Sequence, residues 1–313
     1  MRTDHVATLV EATDLLNIEL PDRRWADESH LEWLYRANPF GEAVFGFRRD
    51  GDRLDAHYAL IPQEYRSASG PERLMFSLNA VTRSVGQRKG HFWSIGEEVY
   101  ARAAEEYGAR GIIGVSNDNS TPPVVKRLGW RLMGPLPVRI VPRSALHGGV
   151  AVEHHLVDVD FLASDRFEQI VSGLDHPVAW GWRNRPTPTY LRWRLASPNT
   201  EPFHLHLSED LVMVSLPSHL GPLRASVVLK LIPRNETVAP VDAAPMVAAV
   251  AAYHHAAFSV YAGFNARVRV GGMRPPRRFQ PAPLNLIYRP LPGAIPAASF
   301  RLDTFEFLDM DAY

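Results

Sequence analysis

The chain has 313 residues, no cysteine, and 34 basic against 34 acidic side chains, so its formal net charge is zero. That length exceeds what one core usually serves, and a hydrophobic fraction of 46% can fill two. Balanced charge argues against a general nucleic-acid or membrane-surface binder, and the missing cysteines rule out a disulfide framework or a thiol nucleophile. No apolar run reaches the roughly 20 residues of a membrane span, and the N-terminus lacks a signal-peptide core, so a cytoplasmic location is the default expectation.

In chain order, Leu31-Glu32-Trp33-Leu34-Tyr35-Arg36 before Asn38-Pro39-Phe40-Gly41 reads as a helix stopped by a turn. Alternating strands are predicted from Ala43 to Arg48 and from Leu54 to Leu60, with Asp50-Gly51-Asp52 as the hairpin turn between them. A further apolar run ends in Asn79-Ala80-Val81-Thr82 and is followed by the basic loop Gln87-Arg88-Lys89-Gly90. At His91 a helical pattern opens, with Phe92, Ile95, Val99 and Ala103 on one face and Glu97, Glu98, Arg102, Glu105 and Glu106 on the other. Gly108 supplies its stop, and Ile112-Ile113-Gly114-Val115 is short enough to be a buried strand. Strand, basic loop, helix and strand form a βαβ-type unit. Its loop points main-chain N–H groups and the positive end of a helix dipole at one spot, which suits a pyrophosphate.

With that context, the segment resembles the GNAT acyl-CoA N-acyltransferase superfamily. The superfamily's strand and loop read approximately Val/Thr-x-Pro-x-x-Gln/Arg-x-x-Gly-x-Gly/Ala; Thr82, Gln87 and Gly90 stand in matching places, while Ser84, Gly86 and Phe92 depart. Downstream, Ser116-Asn117-Asp118-Asn119-Ser120, then Val124-Val125-Lys126-Arg127 and Leu128-Gly129-Trp130, is similar to the superfamily's Asn-containing turn, short helix and closing Leu-Gly-Phe/Trp. The resemblance implies an acyl-CoA co-substrate, most simply acetyl-CoA, held by Ala80, Val81, Thr82, Gln87, Arg88, Lys89, Gly90, His91 and Phe92. It also implies that Asn117, Asn119 and Ser120 lie along the pantetheine arm, although these three serve equally well as cap and turn residues. Val125 stands where many members carry a tyrosine acid. For the reaction, the resemblance implies that a central-strand N–H, at Val81 or its neighbours, polarises the thioester carbonyl. His57, Tyr58 and Asn79 are the candidates for relaying a proton, and a histidine simply packed within its strand is an equal reading of His57.

The second half echoes the first at an offset of about 160 residues. Leu191-Arg192-Trp193-Arg194-Leu195 with Ser197-Pro198 parallels Leu31 to Pro39, and strand candidates follow at Phe203 to Leu207, Leu211 to Leu216 and Leu223 to Ile232. A helical pattern from Val241 to Phe258 then stands in the place of the coenzyme helix, behind a loop with no glycine. The expectation is an α/β (α+β) chain of two GNAT-like halves, each a central mixed, mostly antiparallel sheet flanked by helices. Residues 1–145 would bind acyl-CoA; residues 146–313, a degenerate copy, would shape the acceptor site, with Arg143 to Gly149 as linker.

Other constellations carry less. His204 and His206 share a strand face and would need a third ligand to hold zinc, so no metal is expected. Asp303, Glu306, Asp309 and Asp311 read as a solvated acidic edge before a carboxylate site. The expected function is N-acyl transfer, most simply of acetyl, to the amine of a small molecule or amino sugar, with no nucleic-acid or membrane partner. A tandem transferase using aminoacyl-tRNA, or a non-catalytic ligand-binding module of the same fold, is the alternative; oligomeric state is not legible.

Overall fold

The structure, a computed structural model, describes residues 2–20, 27–84, 90–143, 149–178, 180–198, 201–236, 239–276, 283–293 and 296–310. The first half begins with helices α1 (Arg2–Glu19) and α2 (Glu28–Tyr35) and strands β1 (Val44–Asp50), β2 (Arg53–Ser67) and β3 (Gly70–Thr82). It continues through α3 (His91–Tyr107), β4 (Gly111–Ser116), α4 (Thr121–Arg127), β5 (Arg131–Pro135) and β6 (Val138–Pro142). Next come β7 (Glu153–Leu156), α5 (Val159–Ala163), α6 (Asp165–Val171), β8 (Trp182–Asn184), α7 (Pro188–Leu195) and strands β9 (His204–Leu207), β10 (Leu211–Leu220) and β11 (Leu223–Pro233). The chain closes with β12 (Val241–Asp242), α8 (Ala244–Tyr253), β13 (Phe258–Asn265), β14 (Val268–Arg269), β15 (Asn285–Pro290), β16 (Thr304–Glu306) and a 3-10 turn at Phe307–Asp309.

Two seven-stranded sheets result, both mixed and mostly antiparallel. The first runs β1-β2-β3-β4-β15-β5 with β8 on β2; the second runs β16-β13-β11-β10-β9-β7 with β6 on β13. Helices α1 and α3 pack on the first sheet and α8 on the second. Two strands sit across the chain's midpoint. β6 pairs with β13, Val138 opposite Ala262, while β15 fits between β4 and β5, Ile287 opposite Gly114 and Leu132. Each sheet is therefore completed by the other half of the chain.

The repeat is visible as a symmetric contact. Asp27 caps α2 by accepting from the His30 amide, and Thr187 caps α7 by accepting from the Tyr190 amide. Each helix carries one tryptophan inward. Trp33 Nε1 donates to the Trp193 carbonyl at 2.9 Å and Trp193 Nε1 to the Trp33 carbonyl at 3.1 Å, with ring centroids 5.0 Å apart. A reciprocal pair at an offset of 160 residues places a local two-fold axis between the indoles. Both rings are at least nine-tenths buried, so their N–H groups need these acceptors.

Several expected bounds shift. The strand expected to end at Leu60 runs to Ser67, and the helix expected from Val241 to Phe258 shrinks to α8 because β12 and β13 claim its ends. Helix α1 carries no helical signal strong enough to be read in advance. The acidic C-terminal residues overturn the solvated-edge reading: Glu306, Asp309 and Asp303 are all buried. Lys230 Nζ donates to Asp309 at 2.6 Å and lies 3.3 Å from Glu306, so two carboxylates share one buried ammonium. Burial pushes the Glu306 carboxyl up to about 7 even so. Asp311 and the linker residues 144–148 lie outside the described residues. Among the described residues no helix is long and apolar enough to cross a membrane.

Candidate acyl-CoA site

The site is built from an interruption in sheet pairing. β3 and β4 run parallel through Met75 opposite Ile112, Phe76 opposite Ile113 and Ser77 opposite Gly114, and there their pairing ends. Both strands continue, β3 to Thr82 and β4 to Ser116. On its other side β3 stays paired with β2, but with a bulge: His57 faces Val81 and Ala59 faces Leu78, leaving Tyr58 opposite both Asn79 and Ala80. Asn79 takes a left-handed φ of 51°, where asparagine is among the few residues tolerated. Main-chain groups of residues 78–82 thus border an opening with no β4 partner, and Ala80 is exposed there.

Helix α3 starts at the same end. Gly90, its N-cap, has φ 79°, a conformation that costs glycine little, and its carbonyl accepts from Trp93 and Ser94. Among the described residues the main-chain N–H groups of His91 and Phe92 have no acceptor, which leaves the positive helix end available to an anion. Gln87, Arg88 and Lys89 lie outside the described residues. The Phe92 ring packs on Tyr58 at 5.5 Å and on Trp93 at 5.1 Å. A large side chain thus occupies the position where the resemblance would place a small one.

The three catalytic candidates divide between the faces of the sheet, as adjacent strand residues must. Tyr58 points under α3, where its hydroxyl lies 2.8 Å from Ser77 Oγ and 3.2 Å from the Tyr100 hydroxyl, which also accepts from Trp130 Nε1 at 3.0 Å. Burial raises the Tyr58 phenol well above its usual range, so it stays protonated. His57 points the other way and meets Asn79 through Tyr35, a residue that sequence reasoning treated only as part of a core helix. His57 Nε2 lies 3.0 Å from the Tyr35 hydroxyl, and Asn79 Nδ2 donates to the same oxygen at 2.9 Å. Burial pushes the His57 imidazole down to about 4, and its Nδ1 is buried with no partner among the described residues. His57 is therefore neutral at physiological pH and a poorer direct base than a free imidazole.

The turn after β4 is closed on itself. Asn117 Oδ1 accepts from the amides of Asn119 (3.0 Å) and Ser120 (2.9 Å), and Ser120 Oγ donates to it at 3.0 Å. Asn285, carried in on β15, donates to Asp118 at 2.9 Å and to Thr121 Oγ1 at 3.0 Å. The Asn117 side chain thus serves the turn that starts α4; Asn119 is exposed beside it.

The second sheet repeats the interruption and then fills it. β11 and β13 run parallel to Val228 opposite Tyr261, and β10 and β11 carry a register shift at Val214/Ser215. Beyond that point β16 pairs with β13, Gly263 opposite Glu306. Asn265 Nδ2 donates to the Leu231 carbonyl at 2.9 Å, and Tyr261 donates to Glu306 at 3.1 Å. At Gly263 a Cβ would lie 2.3 Å from the Phe305 carbonyl oxygen, so only glycine admits β16 so close. The second opening is occupied by the chain's own C-terminal segment.

His204 and His206 stack on one face of β9 with rings 4° from parallel, and the structure brings His154 and His254 to them. His154 Nδ1 and His206 Nδ1 are 2.7 Å apart, and Ser215 Oγ links His206 Nε2 to His254 Nε2. Among the described residues no group of three or more such side chains is spaced to hold a metal ion.

No protein-family model and no curated protein sequence matches the chain. Solved structures do. One is a protein of unknown function from Enterococcus faecalis described as a probable N-acyltransferase: TM-score 0.62, 9% identity, 90% of this chain and 70% of that one covered. A GCN5-related N-acetyltransferase from Anabaena variabilis gives TM-score 0.60 at 10% identity, with 88% and 69% covered. Both likenesses extend over most of this chain's length. This chain has a GNAT fold. Eis1 from Mycobacterium abscessus is similar at TM-score 0.51 and 12% identity, with 83% of this chain and 63% of that one covered. At such identities the GNAT likeness speaks for the fold, and the chemistry rests on the residues above.

Proposed function

We propose that the chain transfers an acyl group, most simply acetyl, from acyl-CoA to the amine of a small molecule or amino sugar by direct attack. The observation that carries this reading is the parting of β3 from β4 beyond Ser77 and Gly114, with the α3 N-terminus at the same end. An extended pantetheine arm, rich in amides, can hydrogen-bond to strand edges that have lost each other, while the His91 and Phe92 amides with the preceding basic residues take the diphosphate. Acyl transfer to an amine asks little nucleophilic help of the protein. It needs a neutral amine, a polarised carbonyl and a proton for the leaving thiolate.

The Val81 amide and its neighbours at the bulge are the donors for the carbonyl oxygen. His57, neutral and joined to Asn79 through Tyr35, is the relay for the amine proton, and Tyr58, a protonated phenol on the α3 face, is the proton donor for the thiolate. The second half, its own opening filled, borders the acceptor pocket, where clefts between domains commonly form. A cytoplasmic setting and a small-molecule acceptor complete the proposal.

Calorimetric titration with acetyl-CoA tests it. Saturable binding by the wild type, reduced at least about tenfold in Gly90→Arg, is expected, because the variant forces a side chain into a left-handed position at the helix start. Release of free thiol with a panel of amines then separates an enzyme from a coenzyme-binding module; since the protein has no cysteine, a thiol reagent reads only the coenzyme. Absence of binding by the wild type contradicts the proposal.

A further inference from the structure

Asn79 is one of two non-glycine residues with positive φ among the described residues; the other, His255, ends a helix. In a strand a left-handed residue needs something to hold it, since the extended alternative is normally favoured. Here the holder is Tyr35. Its hydroxyl accepts from Asn79 Nδ2 at 2.9 Å, and its ring is 1% exposed. Nothing about Tyr35 is loose. It is the last residue of α2, its carbonyl accepts from the Ala43 amide at 2.7 Å, and its ring stacks on Phe45 at 6.1 Å and lies 5.8 Å from His57. Three elements, α2, β2 and β3, converge on one phenolic oxygen.

The geometry points to Tyr35 as a positioning residue of the transfer reaction. Through its hydroxyl it holds Asn79 in the left-handed conformation and so fixes the direction of the amides at residues 80–81. This rests on the acyltransferase reading above. The backbone consequence is direct: the bulge sets Val81 opposite His57 where an unbulged ladder would set a different residue there, and a one-residue change in register turns every following N–H to the other edge. Without the Tyr35 bond, Asn79 is free to relax toward extended φ, and the donors for the thioester oxygen lose their aim. Misplacing such a donor costs rate far more than coenzyme affinity, because the diphosphate is held at the α3 N-terminus and the pantetheine also lies along the end of β4.

The experiment is a double-mutant cycle on the full chain, with acetyl-CoA and whichever amine of the panel is turned over. Tyr35→Phe is measured in the wild type and in Asn79→Gly, where glycine takes positive φ with no anchor. The expected result is a fall in kcat of about tenfold or more from Tyr35→Phe in the wild-type background, acetyl-CoA affinity staying within about twofold. In the Asn79→Gly background the same substitution changes kcat less than about twofold. An equal loss in both backgrounds overturns the assignment, since Tyr35 would then act by another route, as would a loss carried by coenzyme affinity alone. If the wild type neither binds acetyl-CoA nor releases thiol, the acyltransferase reading itself fails and this role falls with it; binding and turnover untouched by Tyr35→Phe defeat only the positioning role.

Discussion

In the second half, Lys230 is a buried cation with two buried acidic partners. It is 3% exposed and is the cation between Asp309 and Glu306, so removing it strands two buried carboxyls. Lys230→Met is expected to cost about 3–5 kcal/mol in urea denaturation, the usual penalty for breaking a buried pair from one side. The loss should shrink at acid pH, because Glu306, already raised to about 7 by burial, then takes a proton and needs no cation. A loss below about 1 kcal/mol at pH 8 would show that the acids are hydrated. Nothing local betrayed this burial in the sequence, since Lys230 lies 79 positions from Asp309 and is similarly distant from Glu306. Tyr35 escaped for a similar reason: its helix spacing marks it as core, and only the fold brings His57 and Asn79 to its hydroxyl. Trp33 and Trp193 were legible because a rare residue recurred in two similar helices. Trp33→Ala should cost about 3–5 kcal/mol, having removed a buried indole and the acceptor geometry of its twin.

Among elements, α3 was the most legible: its apolar period, Gly90 and Gly108 fix both ends without tertiary help. Strand β15 was the least, because it joins β4 and β5 from at least 150 positions further along the chain, and no local pattern encodes a distant partner. Strands β7, β9 and β10 and the end of α8 meet in the histidine cluster, which fixes the sign of a pH dependence. Burial pushes His206 down to about 2 and His254 to about 4, His154 and His204 are lowered too, and besides burial the groups acting on these rings are other histidines. The unfolded chain accepts protons near pH 6.5 that the folded chain refuses, so stability is full above that pH and falls as pH drops toward about 4. His206 and His254, kept neutral, each contribute a slope of at most about 1.4 kcal/mol per pH unit across that window, and the more exposed His154 and His204 contribute less. Urea midpoints measured from pH 7.5 to 4.5 should fall steeply below 6.5; a flat profile would mean the rings are already hydrated.

At the scale of the molecule, the exchanged strands tie the halves together. A fragment ending near residue 143 keeps β1 to β5 but lacks β15, leaving β4 and β5 without the strand between them, and carries β6 with no β13 to pair. Such a fragment is expected to stay unfolded, and the intact chain to lose tryptophan fluorescence and helical circular dichroism in one coincident transition. Two separated transitions would show that each sheet is stable without its borrowed strand. Among the described residues, the filled opening of the second sheet leaves the one in the first sheet open. The measurement that bears most directly on the coenzyme assignment is therefore a crystal structure grown with acetyl-CoA. The pantetheine should lie between residues 78–82 of β3 and the end of β4, with the diphosphate at the His91 and Phe92 amides. Coenzyme bound elsewhere, or β3 and β4 still closed to it beyond Ser77 at saturating concentration, would contradict the assignment.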